Sequence, residues 1–175
     1  HLTAVSRAHY RMAELIDELL TLTRECDTQI DLTPVGLESI ARTCWGNVDT
    51  GSARIDIRTD RTVRADGTRL KRLLENLLRN AVEHGSTGNR TDADADGVVI
   101  TIGALDGGFY VEDDGPGIPP AERESVFEYG YSTAPNGTGL GLAIAEQCAD
   151  VHGWEVSVTA GNDGGARFEI TGVDV

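Results

Sequence analysis

Three groups of residues in this chain have types and spacings suited to chemistry. Asn76, Asn80 and Glu83 fall at i, i+4 and i+7 of a leucine-rich segment, so they share one helix face. Two asparagines a turn apart are poor helix formers, held there at a cost. Asp113-Asp114-Gly115-Pro116-Gly117-Ile118 is the second group, and Gly137-Thr138-Gly139-Leu140-Gly141-Leu142 is the third. Glycine clusters free backbone N–H groups for close approach to a ligand. The last cluster also runs into an apolar helix-forming segment, residues 140–151. A glycine turn that opens a helix aims orphan amides and the positive end of the helix dipole at one spot, which makes a phosphate site. It is not a common phosphate loop: there is no G-x-x-x-x-G-K-[ST], and neither cluster lies in a strand–GxGxxG–helix unit with an acidic residue ~20 residues on. Between the clusters lie Pro119, Pro120, Pro135, Tyr129 and Tyr131, a long loop that reads as a flap over a ligand.

The elements that would position these groups follow from periodicity. Residues 2–25 read as one helix, with Val5, His9, Met12, Ile16, Leu19 and Thr23 spaced 4, 3, 4, 3, 4. Ala8, Leu15 and Leu22 widen that seam, and Arg7, Arg11, Glu14, Asp17, Glu18 and Arg24 lie largely off it. Such a stripe pairs with other helices or docks on the domain behind it. Residues 27–34 form a polar linker. Thr33-Pro34 is a helix-start signal, and a second helix is expected over 35–47. Residues 53–58 and 62–65 alternate as strands. Asp66-Gly67-Thr68 caps a helix over 69–84 that Gly85 ends, with Leu70, Leu73, Leu74, Leu77, Leu78 and Ala81 facing a core. Residues 98–105 and 108–112 form a hairpin turning at Asp106-Gly107, and 154–159 with 166–171 make a closing hairpin. Asp92-x-Asp94-x-Asp96-Gly97 matches the start of a calcium loop. Its twelfth position would be Gly103, where a bidentate Glu is required, so the segment reads as a solvated loop.

Composition bounds the class. The 175 residues, 39% hydrophobic, suffice for one good-sized domain plus an appendage. No stretch approaches the ~18–20 apolar residues of a membrane span, and no signal-peptide pattern opens the chain. The first residue is His1 rather than Met, so a fragment of a longer protein is expected. A net charge of −14 argues against nucleic-acid or anionic-membrane binding through a basic face. Of fifteen basic residues only Lys71 is a lysine, a balance that resembles cytoplasmic proteins of salt-accumulating, halophilic microbes such as haloarchaea; an acidic product of a high-GC genome is the alternative. Cys26, Cys44 and Cys148 form no C-x-x-C pair and read as reduced thiols in a cytoplasmic setting.

Four motifs in order carry a family resemblance. Glu75-Asn76-Leu77-Leu78-Arg79-Asn80-Ala81, Asp113-x-Gly115-x-Gly117-Ile118, Val126-Phe127-Glu128 and Gly137-Thr138-Gly139-Leu140-Gly141-Leu142 resemble the N, first glycine, F and second glycine boxes of sensor histidine kinases. Residues 31–175 are similar to the catalytic ATP-binding domain of the GHKL superfamily. Arg11-Met12-Ala13-Glu14-Leu15-Ile16-Asp17, within residues 1–30, resembles the second helix of the dimerisation and phosphoacceptor hairpin. The fold implied is α+β, a two-layer α/β sandwich of the Bergerat type, its mixed sheet covered by three helices and preceded by one long bundle helix. The resemblance also implies roles. Asp113 would accept from the adenine amino group, while Gly115 and Gly117, with Ile118 in the same box, let the backbone approach the base. Asn80 would give a carboxamide oxygen to Mg²⁺, and Asn76 would face the phosphates. Gly137, Thr138, Gly139, Leu140, Gly141 and Leu142 would bind phosphates through backbone N–H, with the Thr138 hydroxyl adding to them. Phe127 would anchor the flap, and Tyr131, Ser132 and Thr133 would lie near the nucleotide. His84 would sit near ribose and phosphates, or else simply end its helix.

Asn76 helps to choose among relatives. In the ATPase branches and the anti-sigma serine kinases of that superfamily, the residue four before the Mg²⁺ asparagine is a Glu acting as general base. Asn cannot deprotonate water or serine, whereas neutral imidazole is already a nucleophile. Glu75 points elsewhere on the helix. Two positions depart from the pattern: Glu83 and Ser132 stand where the family often carries a basic residue, leaving little fixed positive charge for a triphosphate apart from Mg²⁺, the helix end and Arg79. None of His1, His9, His84 or His152 sits in a phosphoacceptor box, so the acceptor histidine is expected upstream. The resemblance implies γ-phosphoryl transfer from Mg·ATP to that histidine in a helical-hairpin homodimer, then to an aspartate of a response-regulator receiver domain. The rivals are a GHKL-type ATPase and a nucleotide-binding regulatory module without kinase activity.

Overall fold

The computed structural model describes residues 2–24, 29–85, 97–132 and 139–175. A leading helix α1 (Leu2–Arg24) is followed by β1 (Thr33–Gly36), α2 (Leu37–Asn47), β2 (Arg54–Arg58), β3 (Thr62–Ala65) and α3 (Gly67–Gly85). Then come β4 (Val99–Leu105), β5 (Gly108–Asp113), 3-10 turns at Pro120–Glu122 and Ser125–Phe127, α4 (Gly141–His152), β6 (Glu155–Ala160) and β7 (Ala166–Thr171). Five strands form a mixed sheet in the order β2-β4-β5-β7-β6; β2 runs parallel to β4 and the other pairs are antiparallel. β1 and β3 make a separate antiparallel pair.

α3 packs between α2 and α4, which is why six of its apolar positions reach the core: Leu70, Leu73, Leu74, Leu77 and Leu78 are fully buried and Ala81 nearly so. Its start is a side-chain cap, as expected, with Asp66 Oδ1 accepting from the amides of Thr68 (3.1 Å) and Arg69 (3.2 Å). The sheet meets these helices through alternating residues, Ile100 and Ile102 of β4, Phe109 and Val111 of β5, Ala166, Phe168 and Ile170 of β7. On the opposite face the Arg167 guanidinium lies 3.7 Å above the Tyr110 ring and pairs with Glu112 and Glu169. Tyr110 is registered against Gly103, where a Cβ would stand 2.4 Å from the phenol, so Gly103 is a β-strand residue with no part in a cation loop.

One expected boundary is corrected. Val35 does not open the second helix; Thr33–Gly36 is strand β1 and the helix starts at Leu37. Pro34 holds Thr33 in the extended region, Thr33 and Val35 are β-branched, and a two-strand ribbon tolerates a proline's missing donor. The Leu37 amide then bonds to Arg61 O at 2.9 Å, fixing where the helix turns in. Along α1 the seam residues Val5, Met12, Ile16 and Leu19 are more than half exposed, while Leu15 packs against the core. Among the described residues no helix is long and apolar enough to cross a membrane. Cys44 and Cys148 are buried, and burial, with Glu75 nearby, pushes the Cys44 thiol up to about 12. Cys26 and residues 92–96 of the acidic loop lie outside the described residues.

Candidate functional site

A cavity of about 250 Å³ opens between α3, the segment after β5, residues 131–132 and the start of α4. Its lining brings together most of the residues singled out by spacing. Asn76, Asn80 and His84 come from α3, and Asp113, Gly117 and Ile118 from the end of β5 and the turn after it. Tyr131, Ser132, Gly139, Gly141 and Leu142 close the other side. Gly115 and Leu140 stand just behind the wall. Gly115 lies against Gly85, whose Cα would be 2.6 Å from an added Cβ, and Leu140 is buried in the core. Thr133, Gly137 and Thr138 lie outside the described residues.

Asp113 is the chemical centre of one end. It is 3% exposed at the terminus of β5, where period-2 alternation turns it inward like Phe109 and Val111. Its Oδ1 accepts from the amides of Gly115 (2.9 Å) and Ala166 (3.3 Å). Among the described residues Oδ2 has no hydrogen-bond partner, which leaves it to receive a donor from a ligand. Burial pushes this carboxyl above the usual carboxylate range, against the pull of the two amides and of His84. The backbone around it is close-packed: a Cβ on Gly165 would fall on Asp113 O, and Gly117, at φ +78°, would direct one to 2.6 Å from Gly164 O. The neighbouring Asp114 serves the sheet instead, its Oδ1 taking the Val99 amide at 2.9 Å.

The other end is built from α3 and α4. Asn80 is half-buried on the cavity wall, one turn after the buried Asn76. Asn76 is turned by its own helix, with Nδ2 donating to Arg72 O at 2.9 Å, and a Cβ on Gly141 would meet its Oδ1 at 3.3 Å. Gly141 therefore lets α4 come close to α3 at Asn76, which also lines the cavity. Glu75 is directed away, taking Asn47 Nδ2 at 2.8 Å, with Lys71 at 3.9 Å. α4 begins at Gly141 with no side-chain cap from Leu140, and a helix start is where backbone amides can meet an anion. The loop ends are tied where Gly130 N donates to Gly139 O at 3.0 Å. Val126 is buried and Phe127 packs edge-to-face on Phe168, which roots the loop in the core as expected.

Several cavity residues escape sequence reasoning. Glu122 lines the cavity and accepts from Tyr131 Oη at 2.9 Å, bracing the loop base. Ala166, whose amide holds Asp113, is 53 residues distant in sequence; the only signal was Gly164-Gly165, one glycine more than a turn needs. Glu14 and Glu18 of α1 also reach the cavity. Among the described residues no group of three His, Cys, Asp or Glu could hold a metal. The Asn80 carboxamide suits Mg²⁺, which takes few protein ligands and fills its octahedron with water and phosphate oxygens.

Residues 65–173 match the family described as histidine kinase-, DNA gyrase B-, and HSP90-like ATPase, and the chain belongs to that family. Its relatives within the family are sensor histidine kinases. It is 37% identical over 103 residues to sensor histidine kinase GtrS of Pseudomonas aeruginosa, which covers 58% of this chain and 20% of that protein. It is 31% identical over 172 residues to sensor histidine kinase ZraS of Salmonella typhi, covering 91% of this chain and 35% of that protein. The chain thus spans between a fifth and about a third of these curated relatives. Among solved structures, full-length ShkA in complex with AMPPNP superposes with a TM-score of 0.75 at 28% identity, over 99% of this chain and 38% of that one. The mycobacterial sensor histidine kinase MprB gives 0.65 at 27% identity, over 82% and 97% respectively.

Proposed function

We propose that residues 31–175 are the ATP-binding catalytic domain of a sensor histidine kinase and that α1 belongs to its dimerisation hairpin. The parent protein then moves the γ-phosphoryl of Mg·ATP to a histidine on that hairpin, and on to a response-regulator aspartate. The observation that carries the reading is one cavity holding a buried carboxylate at one end and an asparagine beside the start of α4 at the other. Asp113 takes the adenine amino group through Oδ2 while Gly115 and Ala166 keep Oδ1 in place. The amides opening α4 receive phosphate oxygens, and Asn80 holds Mg²⁺. Mg²⁺, when bound, neutralises charge on the phosphates. The protein's own contribution is position: a packed α3–α4 pair, and a segment rooted by Phe127 on Phe168 beside the cavity. Asn76 standing four residues before Asn80, with Glu75 turned away, favours a histidine acceptor over water.

Calorimetry with Mg·ATP at high salt tests binding. A separate helical hairpin bearing the acceptor histidine, with labelled ATP, tests transfer. The expected product label is acid-labile and base-stable. Absence of heat with every adenine nucleotide would sink the reading.

A further inference from the structure

The face of the sheet opposite the helices carries a polar cluster that nucleotide binding does not call on directly. Glu112 and Arg167 stand across from each other at the last registered rung between β5 and β7. Arg167 Nη1 lies 3.3 Å from Glu112 Oε2, its Nε donates to Glu169 Oε1 at 2.8 Å, and the guanidinium rests 3.7 Å above the Tyr110 ring. Glu112 is buried, and a sheltered carboxylate left without its partner is strongly unfavourable, so this pair holds its rung firmly. One residue beyond it, the ladder gives way to a side-chain bond: the Ala166 amide donates to Asp113 Oδ1 at 3.3 Å. The turn leading into Ala166 is packed on the same two β5 residues. A Cβ on Gly161 would stand 3.0 Å from Glu112 Cγ and 3.3 Å from Asp113 O, and one on Gly165 would fall on Asp113 O. Gly161 N donates to Gly165 O at 2.7 Å, which closes that turn. The Asp113 carboxylate is therefore held by a strand end whose register is set from the other side of the sheet.

We propose that Arg167 and Glu112 are positioning residues for the adenine-binding carboxylate: their pair keeps the end of β7 in register, so that the Ala166 amide holds Asp113 Oδ1 and Oδ2 is left facing the ligand. The proposal rests on the nucleotide reading above. Neither residue lines the cavity, so an effect confined to the adenine amino group passes through Asp113. The second contact of the same guanidinium, to Glu169, lies two residues farther along β7 and plays no part in this placement.

Glu112→Gln with Arg167→Gln removes the pair without stranding a buried charge and without changing the net charge of the rung. Mg·ATP should then bind about 2- to 12-fold more weakly by calorimetry, while Mg·purine riboside triphosphate, which lacks the amino group, changes less than about 2-fold. Two readouts need no nucleotide. Hydrogen exchange of the Ala166 amide should quicken, and the NMR titration of the Asp113 carboxyl should move upward, since that amide helps to hold it down. Arg167→Lys keeps the charge but loses the planar fork, and should show the same shifts in smaller measure. Glu169→Ala should leave every readout unchanged. Equal losses for the two nucleotides, an unmoved Ala166 amide or Asp113 titration, or a Glu169→Ala protein that behaves like the double variant overturns the proposal. If wild type gives no heat with either nucleotide, the nucleotide reading itself has failed, and exchange and titration still decide whether the pair positions Asp113.

Discussion

Asp113→Asn separates the site from the fold. Oδ1 of Asp113 takes two backbone amides, at 2.9 and 3.3 Å, and a carboxamide oxygen can keep both. The substitution removes the charge and turns the second oxygen into an NH₂. Burial raises the carboxyl's pKa above its ordinary value of 3.8. A carboxyl whose folded pKa is raised favours folding fully below the unfolded value, and that contribution is lost as pH rises through the folded one. At neutral pH the Asp113 charge is thus a burden on folding, and the asparagine variant should melt no lower than wild type at pH 7. Nucleotide binding should move oppositely. A hydrogen bond from the adenine amino group to a buried carboxylate contributes about 1.5–3 kcal/mol, and the variant opposes donor to donor. Its loss is about 10- to 150-fold in Kd. Purine riboside triphosphate, lacking the amino group, has no such bond to lose. Calorimetry of both nucleotides against both proteins, with a thermal melt of each, gives the full comparison. Equal losses for the two nucleotides refute the adenine contact; a lowered melting temperature refutes the claim that both amide bonds survive.

Other perturbations probe other walls. Gly117→Ala forces a side chain into φ +78° and against Gly164 O, whereas Gly153→Ala meets φ +76° with open space around it. The first should cost about 1–3 kcal/mol, a fall of roughly 2–12 °C in Tm, and more than the second; equal melts refute the steric argument. Asn80→Ala should flatten the dependence of ATP affinity on Mg²⁺ concentration, with a loss of about 5- to 30-fold at saturating Mg²⁺ and little change in EDTA. His152 is held as the neutral ring, Nδ1 donating to Cys148 O at 2.6 Å and Nε2 accepting from the Asp66 amide at 2.9 Å, and burial lowers its pKa below 6.5. Its stabilisation is whole above pH 6.5 and lost as pH falls toward the folded value, so the Tm gap between wild type and His152→Gln should narrow from pH 7.5 to pH 5. A constant gap refutes it.

What the sequence disclosed depended on the range of the interaction. α3, its Asp66 cap and its leucine face are local, set by 3.6-residue periodicity and one side chain, and they stand where expected. Thr33-Pro34 misled because the same dipeptide opens helices and holds extended ribbon, and the partner that decides, β3, lies about thirty residues on. Asp113 was legible by type and position. The amide of Ala166 that holds it was not, because nothing near residue 113 encodes a contact with β7. Asn76 was legible as a cavity residue, but the closeness of Gly141 on α4 to its Oδ1 was not, because that contact is made across 65 residues of sequence. Glu14 and Glu18 read as ordinary solvent-facing acids, since the seam marks which side of α1 is apolar and not which side meets the domain.

The charge balance of the cavity bears on how it can hold a polyanion at all. Lys71, the chain's one lysine, sits against Glu75 on the far side of α3, and Arg79 is the one arginine in the lining among the described residues. Beyond that arginine, attraction for a polyanion is available from the backbone amides that open α4. These act at contact distance, inside a wall that bulk ions enter poorly. Side-chain charges around the rim act across water, where the Debye length shrinks to about 3 Å at molar salt. In concentrated salt the acidic rim loses most of its repulsion while the helix start keeps its hydrogen bonds. A lysine added to the rim of such a site would therefore contribute least in concentrated salt.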